Sequence, residues 1–70
     1  MPEWLEKVVI EKVSLDKLIG NLDKFVAEES NLNELSSFQL ALLRDQRESM
    51  QKYSNVLKAR IELAEAEMDA

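Results

Sequence analysis

The chain has 70 residues, a formal charge of -5, 33% charged and 46% hydrophobic content, and neither Cys nor His. That excludes disulfides, thiolate metal sites and the usual zinc and iron sites, and leaves no ordinary general base or thiol nucleophile, so neither cofactor nor enzymatic activity is expected. An acidic balance also disfavours nucleic acid and anionic membrane as partners, because neutralising phosphates needs a basic surface.

The first element begins at Pro2, which suits a first helical turn because its missing N–H would have no partner there, and Glu3 and Glu6 sit well at the positive end of the helix dipole. The spacing predicts a helix over about 3–28. Val8, Leu15, Leu18, Leu22 and Phe25 fall on a 3-4 repeat, broadened by Leu5, Ile19 and Val26. Val9, Ile10 and Val13 lie off this stripe, so one partner helix cannot cover every apolar side. Gly20 interrupts the pattern, for a close approach or for a slight bend.

Glu28-Glu29-Ser30-Asn31 ends that helix, and a connection over 29–36 carries Leu32 and Leu35 as apolar anchors. The second start is marked by Ser36 as N-cap, with Gln39 three residues on and Leu35 and Leu40 placed as a hydrophobic staple. A helix over about 37–67 follows. Leu40, Leu43, Arg47, Met50, Ser54, Leu57, Ile61, Ala64 and Met68 keep an unbroken 3-4 alternation and define a heptad seam.

The fold class read from this pattern is all-α: an antiparallel two-helix hairpin with coiled-coil-like packing, one domain over residues 1–70. A hairpin this short buries too little surface to stand comfortably alone, and with disulfides and metals excluded oligomerisation is the remaining staple. A homo-oligomer is expected, with Trp4, Val9, Val13, Met50, Leu57 and Ile61 at contacts between chains. No run of apolar residues is long enough to span a bilayer, and acids stand where a secretory leader would be basic, so the cytoplasm is the expected location.

Charge is unevenly spread: residues 36–61 carry 5 basic and 2 acidic residues, a local +3 inside an acidic chain. Arg47 and Ser54 interrupt the seam itself, Arg44 and Lys58 flank it on one side, and Gln46, Tyr53 and Arg60 flank it on the other. Two readings stand. In one, Arg47 and Ser54 form a polar layer that fixes register, satisfied by Asp or Glu from the first helix or another chain. In the other, Arg44, Arg47, Lys58 and Arg60 hold phosphates in a pocket between chains, with Gln46 beside them and the Tyr53 ring offering a face to a base.

Glu11, Leu15, Leu22 and Phe25 in the first helix, with Leu42-Leu43, Gln46, Met50, Tyr53, Leu57 and Arg60-Ile61 in the second, resemble a family of small phage and prophage proteins first grouped around crAss-like phages. The resemblance covers most of residues 8–61 and implies a phage origin, a small oligomeric helical protein and a host-cell cytoplasmic location. At fold level such hairpins are similar to phage sponges that sequester the nucleotide messengers of bacterial immune systems such as CBASS and Thoeris. The expectation is therefore a non-enzymatic anti-defence protein binding a cyclic nucleotide or related phosphate ligand. A protein–protein interaction module acting on a host or phage protein, with Arg47 structural, is the alternative.

Overall fold

A computed structural model describes residues 1–69, and the described residues form three helices, α1 (Glu3–Ala27), α2 (Glu29–Asn33) and α3 (Ser37–Asp69). The two long helices pack antiparallel into a rod of 52 × 15 × 15 Å, joined at one end through α2. Among the described residues no helix is long and apolar enough to cross a membrane.

The helix ends are set by local chemistry. Pro2 lies outside the helix and its carbonyl accepts from the N–H groups of Leu5 and Glu6, both at 3.1 Å. Glu28 is extended and breaks α1 from α2, while Asn31 Nδ2 donates to the Phe25 carbonyl at 3.1 Å and so caps the orphan end of α1. The connection expected over 29–36 thus contains a turn and a half of helix. At the start of α3 the Ser36 hydroxyl accepts from the Gln39 N–H at 3.1 Å, the cap that the sequence predicts.

α3 turns the predicted seam inward: Ser54, Leu57 and Ala64 are buried, and Leu40, Leu43, Arg47, Met50 and Ile61 are half-buried. Only Met68, near the open end, is exposed. α1 differs from its expected stripe. Its inward positions are Leu5, Val8, Lys12, Leu15, Ile19 and Leu22, an unbroken 3-4 alternation continued by the more exposed Val26, whereas Leu18 is 56% exposed and Phe25 is also exposed. The physical reason is a choice between adjacent pairs: Leu18 and Ile19, like Phe25 and Val26, are 100° apart on the helix, and only one of each can face α3. Lys12 completes the run that Ile19 and Val26 belong to.

Val8, Leu15, Ile19 and Leu57 form the central core, with Met50 and Ile61 packed against it. Leu57, Met50 and Ile61, expected at contacts between chains, are thereby occupied within one hairpin. Gly20 has nothing within 4 Å of where a Cβ would sit, so close approach of a neighbour does not explain it.

Candidate functional site

Two polar layers cross the apolar seam. In the first, Lys12 Nζ donates to Ser54 Oγ at 3.0 Å and to Asp16 Oδ2 at 2.6 Å, while Ser54 Oγ donates to Asp16 Oδ1 at 2.5 Å. Ser54 is 1% exposed, yet its one proton and a lone pair are both used, so burying it leaves nothing unsatisfied. Lys12, with Ser54 adding its own bond, holds the Asp16 carboxyl below the usual carboxylate range.

The second layer joins Asp23 of α1 to Arg47 of α3. Arg47 Nε and Nη2 donate to the two Asp23 oxygens at 2.9 and 3.1 Å, a bidentate fork. Arg47 Nη1 also donates to Gln51 Oε1 at 3.3 Å, and Gln51 Nε2 donates on to Asn55 Oδ1 at 3.0 Å, so a polar ladder climbs α3 beside the seam. The hydrogen bonds and charge of Arg47 lower the Asp23 pKa, and Asp23 in return raises that of Arg47.

Beyond this layer, toward α2, a groove of about 390 Å³ opens between the helices. Val26, Leu32, Leu40 and Leu43 give it apolar walls, with Asp23, Arg44 and Arg47 at its polar side. Its volume lies within the range of small-molecule sites. Among the described residues Arg44 makes no ion pair, whereas Arg47 is held by Asp23. The cation available to an anion in this groove is therefore Arg44.

The residues that the sequence singled out do not gather at one place. Arg44 and Arg47 line the groove. Lys58 lies on the same flank but fourteen residues further along α3, ~21 Å at the helical rise, and its ammonium is 3.8 Å from Glu62. Gln46, Tyr53 and Arg60 occupy the opposite flank, where Gln46 Nε2 meets Met50 Sδ at 3.9 Å and the Tyr53 ring is 44% exposed. Helix geometry forces this split, since Arg44 and Lys58 are advanced around α3 from the seam by about as much as Gln46, Tyr53 and Arg60 are set back. One chain cannot close all six residues around a ligand.

The proposed contact residues split too. Trp4 and Val13 are nine residues apart, two and a half turns, so they point to opposite sides of α1. Trp4 is exposed on the Tyr53 side, Val13 is exposed away from it, and Val9 is half-buried. Lys12, Asp16 and Asp23, which build the polar layers, were not among the residues read from sequence. A lysine at a seam position looks like a surface residue until its antiparallel partner is Ser54. No group of three or more metal-ligating side chains occurs among the described residues.

The model of one protein family, described as Sequestin, matches residues 2–63, well over half of the chain. No curated protein and no solved structure matches it.

Proposed function

We propose that this chain, which belongs to the Sequestin family, sequesters a phosphate-bearing nucleotide immune signal without transforming it. The family name points to a sequestering, binding role. The finer reading is a phage-type anti-defence protein, acting as a homo-oligomer in the host cytoplasm. No residue is assigned a catalytic role.

The observation that carries the ligand reading is the groove beside Arg44. The Arg44 guanidinium, without a carboxylate partner among the described residues, borders a wall of Val26, Leu32, Leu40 and Leu43, so a phosphate can be forked by Arg44 while a base or ribose lies on apolar surface. Asp23 keeps Arg47 fixed at the edge, which spares the site the entropy of ordering a second long side chain. A pocket that also used Tyr53 and Arg60 requires the groove flank of one copy to meet the opposite flank of another. Such head-to-tail contacts close only as rings and otherwise run on as filaments. A site centred on Arg44 avoids that requirement, and the geometry favours it.

Calorimetry with the full chain against cyclic di- and trinucleotides and ADP-ribose-type signals tests the reading. Binding that Arg44→Ala weakens at least tenfold and Lys58→Ala leaves unchanged is the expected result. Silence across the panel at high micromolar protein overturns it. Loss with Tyr53→Ala instead of Arg44→Ala moves the site to the other flank.

A second reading has its own observation: the bidentate pairing of Arg47 with Asp23 makes that arginine structural, as in a module whose work is to dock on a host or phage protein. Capture of a defined protein that Val9→Asp abolishes and Arg44→Ala leaves intact supports this module over the nucleotide reading.

A further inference from the structure

The flank that carries Tyr53 is built as a second seam. On α1, Trp4, Glu11, Leu18 and Phe25 recur every seven residues along one line. On α3, Leu42, Ser49, Val56 and Leu63 recur in the same way, with Gln46, Tyr53 and Arg60 set between them, so this line keeps a 4-3 alternation of its own. The apolar members are all left exposed by the hairpin, Leu18 at 56% and Val56 at 57%. Asp23 and Arg47 meet on the opposite flank, so these two lines share one side of the rod. A line of large apolar residues on each helix, side by side, is a face with no partner in the single chain.

Heights along the rod follow from the short-side-chain Asp pairs, while Lys12, with its longer reach, meets Ser54 from one turn further along α1. Asp16 with Ser54 and Asp23 with Arg47 are residues whose numbers add to 70. By the Asp pairs Glu11 and Arg60 stand near the same height, within reach of their long side chains. They have opposite charge, and among the described residues neither makes an ion pair. By the same pairs Leu18 stands near the height of Tyr53, and Phe25 near that of Gln46.

We propose that the occupant of this face is a second copy of the chain, related by a two-fold axis parallel to the helices. Such an axis lays α1 of one copy on α3 of the other without changing any height. Glu11 of each copy then meets Arg60 of its partner, Leu18 meets Tyr53 of its partner, and every helix has two antiparallel neighbours, the arrangement that opposes their dipoles. The contact is isologous and closes at two copies. The side of the rod, 52 Å by 15 Å, is close to the ~800 Å² per partner that a specific interface needs. Gln46, Tyr53 and Arg60 become interface residues, and the Arg44 groove stays open on the outer surface.

This inference deepens the homo-oligomer reading by naming the face and the register, and it does not depend on nucleotide binding. Sedimentation equilibrium on the full chain, with circular dichroism as the check on folding, tests it. The wild type is expected as a dimer, Leu18→Asp with Val56→Asp as a helical monomer, and Val13→Asp as a dimer. Glu11→Arg and Arg60→Glu each raise the dimer Kd at least tenfold, and the two together restore it. A wild type that is monomeric at 100 µM overturns both the interface and the homo-oligomer reading. An oligomer that survives Leu18→Asp with Val56→Asp overturns the face alone, and a charge swap that fails to restore association overturns the register.

Discussion

Asp23 and Arg47 form a two-pronged bridge between α1 and α3, with both carboxylate oxygens used at 2.9 and 3.1 Å. With Asp16, which is held by Lys12 and Ser54, Asp23 gives the fold two carboxyls whose pKa values lie below the ordinary 3.8. In the unfolded chain both take up protons near that value, while in the folded chain they resist. Stability is therefore full above about pH 5 and falls as the pH drops through 3.8 toward the lower folded values. Thermal melts between pH 6 and 2 are expected to show this acid limb, and Asp16→Asn with Asp23→Asn to flatten it.

Leu57 is 1% exposed at the centre of the core, whereas Val13 is 65% exposed on the far side of α1. Leu57→Ala leaves a cavity and is expected to cost about 2–5 kcal/mol. Val13→Ala is expected to stay within about 0.5 kcal/mol of the wild type. Urea denaturation at one fixed protein concentration separates the two.

Ser54 is a small polar residue on a seam whose other positions are mostly apolar. Removing its hydroxyl by Ser54→Ala leaves Lys12 and Asp16 joined to each other but detached from α3, at an expected cost of about 1 kcal/mol. Ser54→Leu forces Lys12 out of the seam, and the broadened α1 amide resonances expected from that variant in solution NMR would show loss of the fixed register.

Gly20 lies inside α1 with open space where a Cβ would sit. Gly20→Ala is expected to stabilise the chain by about 1 kcal/mol, since it removes backbone freedom from the unfolded state and meets no neighbour. A lower melting temperature in that variant would mean that the glycine serves a bend.

The seam of α3 was legible in the sequence because nine successive positions keep one alternation and their neighbours on other faces are mostly polar. The seam of α1 was not, because Leu18 beside Ile19 and Phe25 beside Val26 offer two stripes of equal apolar weight. The candidate site was legible only in part: Arg44 and Arg47 share the groove, but the spacing that put Tyr53 and Arg60 near them along the chain sets them on the other flank around the axis.

An all-α hairpin, the cap at Ser36, a chain without Cys or His, and a seam with Arg47 and Ser54 in it are all readable from residue order. Those follow from local rules, in which each residue answers to neighbours within a turn or two. Packing of α1 on α3 selects which stripe of α1 faces inward, brings Lys12, Asp16 and Asp23 into the polar layers, and sets the flank of each basic residue. The reason is that a buried polar group needs a specific partner, and the partners of Ser54 and Arg47 lie 38 and 24 residues away in the chain, at a distance only the packed hairpin closes.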